Sequence, residues 1–159
     1  MLHPHDVRAV QSLFERASDY FELTTGVPPA RDEATRAFVA GPPTKSVDDK
    51  RMIGAFDAHD ELIGVIDALA DFPEQGDWTM GLLLLDPKRR DAGLGTALLG
   101  EYEAWAAGQG ATRLHTAVVS NHLRGIQFLE ARGYARQRSV DDYNAGGKTA
   151  TVVFLAKDL

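Results

Sequence analysis

The chain has 159 residues, of which 44% are hydrophobic and 25% charged, proportions that are typical of a folded globular protein and exclude a disordered or low-complexity chain. It has no cysteine, which excludes disulfides, thiolate metal sites and cysteine nucleophiles, and no metal site is predicted. The net charge of -6 argues against nonspecific binding to nucleic acid or to an anionic membrane and favours a basic substrate or peptide as partner.

Apolar residues at spacings of three and four predict helices along this chain, and short apolar runs between turn residues predict strands. The expected order is two helices, three strands, a helix, a strand, a helix and two final strands, which flank a glycine-bearing loop at residues 144–147. The helices are expected at residues 6–26, 31–40, 96–110 and 123–132, and the strands at 51–56, 62–69, 78–85, 114–119, 134–138 and 149–155.

The organisation of the chain predicts one domain. There is no internal repeat and no long linker, so residues 1–159 are expected to share a single core. No apolar run approaches the roughly 20 residues of a membrane span, and charges stand where a signal peptide has its apolar segment. We therefore expect a cytoplasmic protein.

The strand at residues 78–85 leads directly into a basic loop that contains glycines, and a helix follows. Unpaired N–H groups at a helix start point toward an incoming anion, and glycines let a phosphate approach the backbone. Arg89 or Arg90 would add positive charge. The other interpretation is that Gly93 and Gly95 only form a tight turn, and the glycines alone do not decide between the two.

Two other phosphate-binding motifs match this sequence poorly. A P-loop requires a lysine after its last glycine, whereas Gly95 is followed directly by Thr96. A dinucleotide fingerprint requires a third glycine where this chain has Leu98. Nucleotide triphosphate hydrolysis and dinucleotide binding are therefore both disfavoured.

The segment Leu83-Leu84-Leu85-Asp86-Pro87, followed by Arg90-x-x-Gly93-x-Gly95, resembles the acyl-coenzyme A signature of the GCN5-related N-acetyltransferase (GNAT) superfamily. Asn121 and residues 128–134 are similar to a second characteristic stretch of that family. The resemblance extends over the order of elements from Asp6 to the C-terminus. It implies an α/β fold with a mixed, mostly antiparallel central sheet and helices on both faces. It also implies an N-acetyltransferase that moves an acetyl group from acetyl-CoA to a primary amine of a small molecule or peptide by direct transfer.

The resemblance further implies where acetyl-CoA binds, namely in a cleft between the strands at 78–85 and 114–119. Backbone groups of the first strand would pair with the pantetheine arm and polarise the thioester, and backbone N–H groups of the glycine loop would bind the pyrophosphate. The implied contacts are Leu83, Leu84, Leu85, Arg90, Asp91, Ala92, Gly93, Leu94, Gly95, Thr96 and Asn121.

Two positions depart from the family pattern. Leu129 stands where many members have a tyrosine that protonates the departing thiolate. An ordered water or another tyrosine could replace it, with Tyr143 and Tyr134 the nearest candidates in sequence, and Tyr134 fits better as a core residue. Asn121 lies one residue further from the second stretch than usual, with His122 at the expected place, so either residue is a candidate for the pantetheine contact.

The general base and the acceptor pocket are predicted less directly. His115 is the candidate base because an imidazole titrates near neutral pH, although a lone strand histidine is more often structural. Residues 141–144 are expected to form a solvated loop, with an acidic lid as the alternative. The candidate acceptor-binding residues, for each of which core packing or simple solvation is the alternative, are Tyr20, Glu22, Asp67 and Trp78.

Two other functions stay open. A non-catalytic acyl-CoA-binding module would explain Leu129, and an interaction protein that keeps the fold without the cofactor would explain a purely structural glycine turn. The family resemblance also leaves a homodimer open, since dimers are common among its members.

Overall fold

A single six-stranded sheet organises residues 1–145 and 148–159, which are the residues that the computed structural model describes. The strand order is β1-β2-β3-β4-β6-β5, and every neighbouring pair is antiparallel except β3 and β4. The strands are β1 (Lys50–Phe56), β2 (Leu62–Leu69), β3 (Asp77–Leu85), β4 (Arg113–Val119), β5 (Ala135–Ala145) and β6 (Lys148–Asp158). The helices are α1 (Val7–Arg16), α2 (Ser18–Thr25), α3 (Glu33–Val39), α4 (Leu94–Gly108) and α5 (Leu123–Glu130). The predicted mixed, mostly antiparallel sheet is confirmed.

Helices cover both faces of the sheet, as predicted. One buried cluster joins the sheet to α4 and α5 and includes Tyr102, Leu114 and Ile126, all at most 2% exposed. The cluster on the opposite face joins the sheet to the N-terminal helices and includes Phe14. Among the described residues, no helix is long and apolar enough to cross a membrane.

The first predicted helix is wrong in one respect, because it is broken at Ala17 into α1 and α2. The backbone of Ala17 leaves the helical region at φ -99° and ψ 32°, and its side chain is fully buried. The bend brings the rings of Phe14 and Phe21 to a centroid distance of 5.1 Å in the same cluster. The apolar spacing continues through the break, so periodicity alone predicted one helix.

The prediction of a loop at residues 141–144 is also wrong. These residues belong to β5, where Tyr143 pairs with Ala150 and Asn144 with Thr149 of β6. The strand is at the edge of the sheet and most of its side chains are exposed, so it carries no apolar alternation to reveal it. The alternative prediction, an acidic lid at residues 141–144, is wrong for the same reason. The predicted loop residues Gly146 and Gly147 lie outside the described residues.

Candidate active site

The sheet opens between β3 and β4. Their parallel pairing begins at Asp77 with Arg113 and ends at Met80 with Thr116. On the other side of β3, Asp67 of β2 pairs with Leu82, and the next residue of β2 pairs with Met80. Gly81 therefore has no partner in β2 and forms a β-bulge. Beyond the bulge, β3 continues with β2 and β4 continues with β6, and the two strands separate.

A cleft of about 920 Å³ fills the gap between the separated strands. It is lined by residues of both strands, by the loop after β3 and by parts of α2, α5, β5 and β6. The remaining strand residues of β3 after Gly81 keep only one hydrogen-bonding partner strand, β2. The Leu85 carbonyl accepts a hydrogen bond from Arg90 Nη2 at 3.4 Å, and the other backbone groups of these residues on the β4 side are available to an extended ligand.

The loop that follows β3 is tied to α1 through Asp86. Asp86 is 5% exposed, and its carboxylate accepts hydrogen bonds from Arg16 Nε at 2.6 Å and from the Lys88 N–H at 2.9 Å. Arg16 also donates to the Leu62 carbonyl at 2.6 Å. Burial raises the pKa of Asp86, but the Lys88 N–H and the Arg16 guanidinium outweigh burial and hold this pKa below its usual range. The loop thus begins at a fixed point.

Gly93 and Gly95 have different roles at the start of α4. Gly93 adopts φ +81°, and a Cβ placed on it would meet no atom within 4 Å. Its surface is open, and no side chain caps the helix start there. At Gly95, a Cβ would lie 3.2 Å from Leu85 Cδ1 and 3.5 Å from Phe128 Cζ. Gly95 therefore permits close packing, whereas Gly93 leaves room for an anion beside the free N–H groups.

Three arginines stand at the loop end of the cleft. Arg90 pairs with Asp19 of α2, with Nη2 at 3.0 Å from Asp19 Oδ1. The Arg90 hydrogen bond holds the pKa of Asp19 below its usual range. Arg124 pairs with Asp91, a residue that has the unusual positive φ of 66°. Arg132 is the third arginine at this end of the cleft.

Arg132 is held by contacts that differ from those of the other two arginines. Its Nη2 donates to Thr96 Oγ1 at 2.5 Å, and its guanidinium lies 5.0 Å from the centroid of the Phe128 ring. No carboxylate pairs with it among the described residues. The loop end of the cleft is therefore its positive end. Of the loop residues predicted to bind the cofactor, Ala92 and Leu94 are outside the cleft lining.

His122, and not Asn121, forms part of the cleft wall. The Asn121 amide is exposed and donates to the Leu23 carbonyl at 3.2 Å. The His122 ring packs edge-on against Tyr20 at a centroid distance of 5.9 Å, and it lies so close to Gly125 that a Cβ there would be 2.4 Å from it. Burial, followed by the charges of Arg90 and Arg124, lowers the pKa of His122. The ring is therefore neutral at neutral pH.

The structure places the predicted acid and base differently. His115 Nε2 lies 3.0 Å from Asp77 Oδ2 of the neighbouring strand, and His115 is not part of the cleft lining. Tyr143 is 43% exposed and lines the cleft. Tyr134 is buried at 2% exposure in the α4 side of the core, as expected, and Leu129 is a buried part of the cleft wall.

Of the four predicted acceptor-binding residues, Tyr20 lines the cleft, and burial raises the pKa of its hydroxyl. Glu22 is exposed and accepts a hydrogen bond from Ser18. Asp67 pairs with Lys50 at 2.9 Å, and burial raises its pKa. The remaining residue, Trp78, is 4% exposed and packs against aromatic side chains of α4, so it belongs to the core between the sheet and this helix. Glu22, Asp67 and Trp78 are all outside the cleft lining.

Several residues of the cleft wall were not predicted. Thr79 and Thr116 lie at the point where the strands part, and the Thr79 hydroxyl donates to the Phe72 carbonyl at 2.7 Å. Glu33 at the start of α3 and Asp19 of α2 supply carboxylates. The sequence gives an ordinary explanation for each of them, because threonines are common in strands and acids are common at helix starts.

Comparison with known proteins defines the class to which this cleft belongs. The sequence profile of the acetyltransferase (GNAT) family matches residues 10–134, whereas the search of curated proteins returns no significant match. An acetyltransferase from Thermus thermophilus is 29% identical, with a TM-score of 0.75 over 99% of this chain and 94% of that chain.

Two other solved structures share the fold. The ribosomal-protein-S18-alanine N-acetyltransferase from Escherichia coli is 14% identical, with a TM-score of 0.74 over 99% of this chain and 90% of that chain. A GCN5-related N-acetyltransferase from Kribbella flavida is 18% identical, with a TM-score of 0.73 over 99% of this chain and 95% of that chain. The chain belongs to the GNAT acetyltransferase family, and its class of activity is N-acetyl transfer.

Proposed function

We propose that residues 1–159 form a single domain that transfers the acetyl group of acetyl-CoA directly to a primary amine of a small molecule or peptide. The observation that carries this proposal is the separation of β3 from β4 at Gly81, next to a loop with an open glycine and beside three arginines of the cleft wall. The cytoplasmic location and the homodimer stay predictions from the sequence.

The chemistry of the cleft fits the two ends of acetyl-CoA. An extended arm that bears amides would bind the free backbone groups of residues 82–85 as an added strand does. The pyrophosphate would bind beside Gly93, where free N–H groups of α4 and the guanidinium of Arg132 meet an open surface. Bound acetyl-CoA would supply an activated acyl group, and the surrounding chain would orient it and exclude water.

Proton transfer requires a base for the amine and an acid for the departing thiolate. We assign the acid role to Tyr143, because it lines the cleft and Leu129 offers no hydroxyl. For the base the chain offers two imidazoles. His122 is in the wall and neutral, whereas His115 lies outside the wall beside Asp77 and would act only through water.

The two imidazoles are distinguished by turnover as a function of pH. If His122 is the base, His122→Gln lowers kcat by roughly 10² or more at neutral pH and removes the acidic limb of the profile, while His115→Gln leaves both unchanged. The reverse result assigns the base to His115. Normal kinetics in both variants would show that neither imidazole takes the proton.

Cofactor binding is tested by calorimetric titration with acetyl-CoA and with free CoA. We expect micromolar affinity, on the order of -8 kcal/mol, for the unmodified protein. Gly93→Glu places a carboxylate in the open space and should weaken binding by about 100-fold, that is, about 2.7 kcal/mol. Gly93→Ala is the matched control, because it has the same backbone strain at φ +81° without the charge.

Each outcome of the titration has a defined meaning. Equal affinities of Gly93→Glu and Gly93→Ala would contradict the phosphate-loop assignment. Failure of the unmodified protein to bind either ligand would favour an interaction protein that has lost the cofactor. Binding without turnover on a panel of amines would favour the non-catalytic acyl-CoA-binding module.

A further inference from the structure

Charge is distributed unevenly along the cleft. The three arginines of its wall, Arg90, Arg124 and Arg132, all stand at the loop end. Of the three carboxylates in the wall, Asp19 and Asp91 pair with two of these arginines. The third carboxylate belongs to Glu33 and has no basic partner within the part of the chain that the structure describes. Glu33 is thus the uncompensated carboxylate of the cleft wall among the described residues.

Glu33 is held in place by the turn before α3. The side-chain amide of Gln11 donates to the Ala30 carbonyl at 2.9 Å and accepts from the Ala34 N–H at 3.0 Å. Glu33 Oε2 accepts from the Ala30 N–H at 3.2 Å. One carboxylate oxygen is therefore used by the backbone, and the half-buried side chain retains its other oxygen and its negative charge for a partner.

Glu33 belongs to neither of the strands that part to open the cleft. Its helix α3 packs against α1 and β1, whereas the acetyl group would react in the gap between β3 and β4. A carboxylate that paired with the reacting nitrogen would favour its charged form, which cannot attack the acetyl group. The Glu33 carboxylate is therefore better suited to binding a second positive charge.

Apolar side chains occupy much of the rest of the cleft wall. Phe21, Phe72, Met80, Val152 and Phe154 contribute to it. The Thr79 hydroxyl, which lies among them, is already bonded to the Phe72 carbonyl. A ligand segment that crosses this region would gain most from an apolar chain.

We infer that Glu33 binds a second ammonium group of the acceptor, so that the substrate is a diamine with an apolar spacer between its two nitrogens. This inference rests on the proposed function. The reacting nitrogen, in its neutral form, forms a bond to the acetyl carbon while the carbon–sulfur bond breaks. The nitrogen then loses a proton, and the thiolate takes one up. The second ammonium keeps its charge throughout and pairs with Glu33.

Steady-state kinetics on two amines with the same carbon chain tests the inference. Hexamethylenediamine should have a KM at least about tenfold below that of hexylamine. Glu33→Gln should raise the KM of the diamine about tenfold and leave the kcat, the hexylamine KM and the acetyl-CoA affinity nearly unchanged. Glu22→Gln removes the same charge from an exposed site outside the cleft and is the matched control. Equal KM values for the two amines, or a diamine KM that Glu33→Gln leaves unchanged, would overturn the inference.

A binding measurement separates this inference from the proposed function. Calorimetric titration with hexamethylenediamine, with and without free CoA, does not depend on turnover. Binding that is lost in Glu33→Gln but kept in Glu22→Gln would support the Glu33 site even if no amine were acetylated, in which case the catalytic proposal alone would fail. If the unmodified protein binds no diamine while it acetylates monoamines, the inference fails and the proposed function stands.

Discussion

His122 is surrounded by groups that discourage its protonation. Burial, to which the Tyr20 ring contributes, disfavours a positive ring most, followed by the charges of Arg90 from the loop and of Arg124 from α5, whereas Asp19 acts in the opposite direction. The pKa of His122 in the folded protein is therefore below the ordinary 6.5. The imidazole is neutral in both the folded and the unfolded chain above that pH, and only the unfolded chain binds the proton just below it.

The stability of the protein should therefore fall as the pH drops below about 6.5, until the ring titrates in the folded state as well. His122→Gln should reduce the loss in the free energy of unfolding between about pH 7.5 and about pH 5.5. Denaturant titrations at the two pH values measure this difference. His59→Gln, at an exposed turn, is the control, and an identical pH dependence in all three proteins would contradict the assignment.

The residues of the site differ in whether the sequence alone could predict their positions. The strand, the glycines and Arg90 could be assigned to the site from the sequence, because phosphate sites at helix starts have a local sequence pattern. Glu33 could not, since its neighbours in the cleft come from distant parts of the chain. The same applies to His115, whose position beside Asp77 follows from the register of β3 and β4.

Among the elements, the junction of α1, β2 and β3 depends on the pair of Arg16 and Asp86. Loss of the Asp86 carboxylate leaves the half-buried Arg16 guanidinium with only the exposed Glu61 carboxylate, 3.3 Å away, as a charged partner, and it frees the Lys88 N–H at the start of the loop. We expect Asp86→Ala to lower the free energy of unfolding by about 2–3 kcal/mol. Chemical denaturation measures this loss.

The control for that junction is an exposed ion pair. Asp32 and Arg36 are 56% and 63% exposed, so Asp32→Ala should cost less than about 1 kcal/mol. If Asp86→Ala and Asp32→Ala lower the free energy of unfolding by similar amounts, the buried ion pair contributes no more to stability than the exposed one.

Element order and type followed from periodicity, whereas two boundaries did not. The break at Ala17 lies within an uninterrupted apolar stripe, and it exists because two phenylalanines pack together after the chain bends. The length of β5 is set by backbone bonds to β6, which leave no trace in the pattern of side chains. Both errors arise where tertiary contacts override local signals.

The whole molecule consists of two half-sheets that share a short seam. Four residue pairs join β3 to β4, whereas seven join β4 to β6. A ligand bound in the gap would link the halves and stabilise the fold by about 2.7 kcal/mol at a ligand concentration of about 100 Kd. With acetyl-CoA we expect a higher unfolding temperature, together with slower hydrogen exchange at the amides of residues 82–85 that face the gap.

Thermal unfolding and native-state hydrogen exchange measure these two effects. Gly93→Glu, with a Kd about 100-fold higher, should be only half-saturated at the same ligand concentration and gain about 0.4 kcal/mol, with a correspondingly small rise in unfolding temperature and weak protection. A rise in unfolding temperature without protection of residues 82–85 would place the ligand outside the gap.

The carboxylates beside the loop also bear on how fast a ligand arrives. Arg90 and Arg124 already face Asp19 and Asp91, and the chain as a whole carries a net charge of -6. A polyanion that diffuses toward the loop therefore feels little long-range attraction, and it exchanges partners with the arginines only on contact. Salt screens both the repulsion by the net negative charge and the attraction by the unpaired Arg132, so the association rate should not fall steeply as the ionic strength rises, and affinity is set mainly by the lifetime of the complex.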